Sequence, residues 1–134
     1  MLKAAFVFAV VLAGASTVSG AQSREILIMG GASQDKFLGC LTCSEHAAGS
    51  VWNDYDTHGW ANKYATWNRY GENANPYAGH SACNQYATEG PVLVDRQGNY
   101  YGRLSVNPNA ADSICGVTGV PRICTALKVM CADN

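Results

Sequence analysis

The chain reads as a mainly β domain of the α+β class, stabilised by disulfides. It predicts a small sheet from two similar β-hairpins, irregular Trp/Asn/Tyr repeats between them, and a short C-terminal helix. Three observations carry this reading. Two segments share one layout of aliphatic strand, turn and aromatic strand. A six-residue unit recurs three times between them. Six cysteines follow an N-terminal leader, an even number that suits an oxidised framework.

Residues 1–21 have the layout of a secretory signal peptide. Lys3 supplies the positive start, Ala4 to Ala13 form the apolar run, and Ser19-Gly20-Ala21 offers small residues for cleavage. The run is too short for a comfortable membrane span, so no stable membrane insertion is expected after cleavage; a retained anchor is the alternative. Residues 22–134 are then a single secreted or periplasmic domain, with the repeat region at 50–87 and a Cys-rich helical tail at 114–134.

The first hairpin pairs Ile26-Leu27-Ile28-Met29 with Phe37-Leu38-Gly39-Cys40-Leu41-Thr42. The second pairs Val92-Leu93-Val94-Asp95 with Tyr100-Tyr101-Gly102-Arg103-Leu104-Ser105 across Arg96-Gln97-Gly98-Asn99. β-Branched and aromatic residues fill the strands, and Gly98 with Asn99 suits the turn. Gly39 and Gly102 hold matching strand positions, where glycine marks a bulge or a close approach. In the tail, Pro121 suits a first helical turn, and Ile123, Leu127 and Met130 share one face.

The repeated unit is small, any, Trp or Cys, Asn, any, Tyr. Its copies begin at Ser50, Ala65 and Ser81, fifteen and sixteen residues apart. One such unit cannot bury its own apolar face and must stack on its neighbours. The third copy places Cys83 where the others have Trp52 and Trp67. Cys and Trp share burial more than binding chemistry, which favours packing at that position. Asn53, Asn68 and Asn84 sit at one position in all three units, where a turn-forming role or a ligand-binding amide would both fit. Tyr64, Tyr77 and Trp60 lie outside the units and are expected to face solvent. With the three asparagines they form the predicted contact face.

Cys40, Cys43, Cys83, Cys115, Cys124 and Cys131 are read as three structural disulfides. Residues three apart on a strand point to opposite faces, so Cys40 and Cys43 are each expected to reach a distant partner, Cys83 being one choice. The strand-like setting does not suit a thioredoxin-type pair, which needs a helix N-terminus, and no second Cys-x-x-Cys completes a zinc site.

The remaining constellations point to no reaction. His46, His58 and His80 lack the spacing of a helical metal motif, so neither a metal nor another cofactor is expected. Asp54-Tyr55-Asp56-Thr57-His58-Gly59 resembles the start of a calcium loop, but Ala65 stands where a bidentate Glu is needed. The formal charge of −1 and the lack of a basic stripe argue against nucleic acid as a partner. No nucleophile elbow, His-Glu-x-x-His or phosphate loop occurs.

Phe37 to Cys43, the three units, and Val92 to Asp95 with Gly98 to Gly102 together resemble a group of small secreted bacterial proteins of unassigned function. That group has a Phe-Leu-Gly-Cys-Leu-x-Cys start and repeated Trp-Asn-x-Tyr-Gly units. The resemblance spans roughly residues 37 to 107 and implies an exported compartment and a shared architecture. It implies no activity. The Cys115 to Cys131 tail and Cys83 depart from its pattern.

The leading expectation is a non-catalytic binding module for a glycan or protein partner outside the cytoplasm. One alternative is a small secreted hydrolase drawing a carboxylate pair from Asp54, Asp56, Glu72 or Asp95. The other is a secreted inhibitor or immunity protein with a disulfide-held loop.

Overall fold

The computed structural model describes residues 24–62 and 64–133; the leader read in residues 1–21 lies outside them. Among the described residues, four short strands form one antiparallel sheet. They are β1 (Leu27–Gly30), β2 (Lys36–Cys40), β3 (Val92–Val94) and β4 (Tyr100–Arg103), in the order β2-β1-β3-β4. A helix, α1 (Pro121–Asp133), follows. The coarse expectation of a mainly β chain with a C-terminal helix and disulfides therefore holds.

One row crosses the whole sheet. Gly39 pairs with Ile28, Ile28 with Leu93, and Leu93 with Gly102. A register shift lies beside each outer pair. The glycines are there because other groups press on them. A Cβ on Gly39 would stand 2.6 Å from Val51, and one on Gly102 would stand 2.9 Å from the Asp112 carbonyl. Both also have φ in the left-handed half of the map, at 144° and 122°.

The two halves of the sheet carry the same strap. Cys40 donates to Gly49 O and accepts from Val51 N–H. Arg103 donates to Asp112 O and accepts from Ile114 N–H. Cys40 bridges Ser50 and Arg103 bridges Ser113, both in parallel.

Between the halves the chain runs as a train of β-turns. From Ser44 to Gly71, every third residue donates its N–H to the carbonyl three residues back and accepts from the one three ahead. These corner residues are Ser, Ala, Asn, Asp or Gly without exception, the small and turn-forming types that suit a position shared by two consecutive turns. The register slips by one residue after Gly71, resuming through Asn75, Ala78 and Ser81, with a further turn from Asn84 to Ala87. The same triplet train returns from Asn107 to Gly119.

Three turns make one coil. Trp60 N–H bonds to Val51 O, Thr66 N–H to Thr57 O, and Ala82 N–H to Asn73 O, each pair nine residues apart. Turns three apart in the train, one coil on, face the same way: Val51 and Trp60 are buried, and Tyr55 and Tyr64 are exposed. Val51, Trp60, Trp67, Ala82 and Cys83 point into the core with Ile28, Leu38, Leu93, Leu104, Ile114 and Leu127. Trp60 and Trp67 stack with ring centroids 4.4 Å apart and planes 27° from parallel.

Three disulfides tie the structure. Cys83–Cys131 joins the coil to α1, and Cys115–Cys124 joins the last turns to α1. The third is Cys40–Cys43, which corrects the expectation of distant partners for both. Strand pairing ends at Cys40 and the chain bends over residues 41–43, so the opposite-face argument does not apply. The bend brings the two Cα atoms to 5.5 Å.

Candidate functional site

Five outward turns share the pattern Asn-x-Tyr: Asn53 with Tyr55, Asn62 with Tyr64, Asn68 with Tyr70, Asn75 with Tyr77, and Asn84 with Tyr86. In each, the Asn Oδ1 accepts the Tyr backbone N–H, at distances between 2.8 and 3.2 Å. This side-chain turn fixes the direction in which the tyrosine leaves the backbone. Asn53, Asn62 and Asn84 also donate Nδ2 to the carbonyl six residues back, clamping two consecutive turns. The five tyrosines are 81–98 % exposed, so their rings add almost nothing to the core. Repeats of nine put Tyr55 and Tyr64 on consecutive coils, and Tyr77 and Tyr86 likewise.

The last pair meets in one open groove of about 720 Å³. Tyr77 and Tyr86 line it with Gln85, Pro108, Asn109 and Lys128. Its frame is rigid for identifiable reasons. The Cys83–Cys131 disulfide forms part of the wall. Asn107 Nδ2 donates to Ala87 O at 2.9 Å, and Asn107 Oδ1 accepts Asn109 N–H at 2.9 Å. The groove thus combines two flat rings with amide groups and one cation, a lining able to stack on an apolar face and hydrogen-bond to hydroxyls.

The structure separates the residues singled out from sequence. Tyr64 and Tyr77 face solvent. Trp60, expected outside, is buried at 9 % exposure and stacked on Trp67. It stands one place after the corner Gly59, the same inward place that Val51 and Ala82 take after Ser50 and Ser81. Asn53, Asn68 and Asn84 direct their amides at backbone within the coil and act as positioning residues for the tyrosines. Sequence reasoning alone misses Tyr55, Tyr70 and Tyr86 as surface residues. The Asn two places before each tyrosine is the signal that marks them.

Of the four candidate carboxylates, Asp54 is exposed, and Asp56, Glu72 and Asp95 are engaged elsewhere. Asp95 is buried and accepts from Gln97 N–H, Asn99 N–H, Asn99 Nδ2 and Tyr101 Oη. The Asn99 amide, helped by the turn N–H groups and the Tyr101 hydroxyl, holds its pKa down to about 2 against the effect of burial. Asp56 accepts from Gly49 N–H, His58 N–H and the His58 ring at 3.0 Å, and these bonds also hold its pKa below the usual carboxylate value. Glu72 pairs with Lys36 at 3.3 Å on the surface. Among the described residues no three His, Cys, Asp or Glu side chains gather as metal ligands. No helix among them is long and apolar enough to cross a membrane.

No family model matches the chain, and no curated protein and no solved structure is found to be similar to it.

Proposed function

We propose that this chain is a secreted, non-catalytic binding module that holds a glycan on its tyrosine-bearing turns. The observation that carries this reading is the shared groove of Tyr77 and Tyr86, which Gln85, Asn109 and Lys128 also line. Sugar rings present flat C–H faces and a rim of hydroxyls, which aromatic rings and amides complement. An Asn that fixes the backbone of each tyrosine leaves only the side-chain torsions to be ordered on binding. Tyr55, Tyr64 and Tyr70 extend the same presentation along the coil, which suits a polymer more than a single sugar. The leader at 1–21 and the three disulfides support an exported setting. The engagement of Asp56 and Asp95 in their own turns weighs against the hydrolase alternative.

The test is binding of the exported protein to a panel of cell-wall and extracellular polysaccharides, by co-sedimentation and calorimetry. One polysaccharide is expected to bind, and Tyr77→Ala/Tyr86→Ala to weaken it about tenfold or more, on the scale of alanine truncation at aromatic contacts. A panel without any binder, or a binder indifferent to both tyrosines, overturns the reading.

A further inference from the structure

A separate cavity of about 400 Å³ lies between α1 and the sheet and shares no lining residue with the tyrosine groove. Its walls are Ile28, Trp52, Trp60, Ile123, Leu127 and Met130, with smaller contributions from other apolar residues. The space opens to solvent beside the exposed Trp52, Val120 and Arg122. A mostly apolar cleft of this volume with few polar groups is the usual setting for a small-molecule ligand.

Two polar residues border it, Thr42 and Arg122. The Thr42 hydroxyl is already committed, donating to Arg24 O and accepting from Ile26 N–H. Arg122 is the single charged group on the lining, and it has no ion-pair or hydrogen-bond partner among the described residues. A guest in this cleft therefore meets mostly hydrocarbon, with the Arg122 side chain, uncommitted to any described partner, on its lining. Arginine recognises carboxylates with two parallel hydrogen bonds.

We propose that the cavity between α1 and the sheet binds a small amphipathic carboxylate of the medium-chain fatty acid class, its alkyl chain against Trp52, Trp60 and Leu127 and its carboxylate on Arg122. The site is independent of the tyrosine groove and stands or falls without it.

Trp52 and Trp60 are in the cavity wall, so the protein carries its own reporter. Tryptophan emission is followed while the full exported chain is titrated with decanoate, and separately with decanol, below micelle-forming concentrations. Decanoate is expected to give a saturable change whose affinity falls about tenfold in Arg122→Gln, the size of one charge-assisted pair. Decanol is expected to bind the native chain and Arg122→Gln equally. Arg122 is exposed on the first turn of α1, so this variant keeps the fold, which circular dichroism checks. No saturable change with decanoate overturns the proposal. So does equal decanoate affinity for the native chain and Arg122→Gln.

Discussion

Asn84 holds Tyr86 in place from within a single turn. Its Oδ1 accepts the Tyr86 N–H at 2.9 Å while its Nδ2 donates to Ala78 O at 3.0 Å. The asparagine is 8 % exposed and the tyrosine 81 %, so one residue carries the structure and the other is presented by it.

This division of labour separates stability from the presentation of the ring at the surface. Asn84→Ala leaves a coil carbonyl and a turn N–H without their partner. It is expected to lower stability by about 1–3 kcal/mol. Tyr86→Ala removes an exposed ring and is expected to change stability by no more than about 0.5 kcal/mol. Urea unfolding of the two variants, followed by circular dichroism, checks the contrast.

The carboxylate of Asp95 makes the fold sensitive to acid. Its folded pKa of about 2 lies below the ordinary value of 3.8. A depressed folded value means that its contribution is fully present above about pH 4 and is lost as pH falls from 4 toward 2. Asp56 shifts in the same direction and adds to the same slope. Asp95→Asn is expected to flatten the dependence of the urea midpoint on pH across that window, with little change in slope near neutrality.

The disulfides are expected to rank by the loops they close. Cys83–Cys131 spans 48 residues and Cys40–Cys43 spans 3. Chain-entropy arguments give about 4 kcal/mol for the first and about 2 kcal/mol for the second. The paired alanine variants, compared by thermal and denaturant unfolding, are predicted to fall in that order. Loss of Cys83–Cys131 also frees one wall of the tyrosine groove.

Much of the fold is legible in the order of the residues. Aliphatic and aromatic alternation marks the strands, and Pro121 with the Ile123, Leu127, Met130 face marks the helix. The unit spacings of fifteen and sixteen acquire a physical cause in the turn train. Fifteen is a whole number of triplets, and sixteen contains the one-residue slip between Gly71 and Asn75. Two further Asn-x-Tyr turns, at Asn62 and Asn75, fall outside the six-residue unit because the residue before each Asn is Ala instead of Trp or Cys. The aromatic residue is the conspicuous part of the unit, whereas the corner asparagine and its hydrogen bonds set the geometry.

Other features depend on contacts that spacing does not encode. Trp60 looks free because it lies outside the Trp-Asn pairs, yet its place after the corner Gly59 turns it inward onto Trp67. Cys40–Cys43 looks forbidden on a strand, and the strand stops at Cys40. The groove of Tyr77 and Tyr86 needs the Pro108-Asn109 turn and α1 beside the coil, and that arrangement is fixed by Asn107 and Cys131 from far along the chain.

Amide hydrogen exchange by NMR tests the triplet coil most directly. Protection is predicted at the corners, among them Asn53, Asn62, Asn68, Ala78 and Ser81, and at Tyr55 and Tyr86 behind their asparagine caps. Fast exchange is predicted at Asp54 and Gln85, whose N–H groups have no partner among the described residues. Uniformly fast exchange from Ser50 to Ala87, or protection without the three-residue rhythm, would contradict the account.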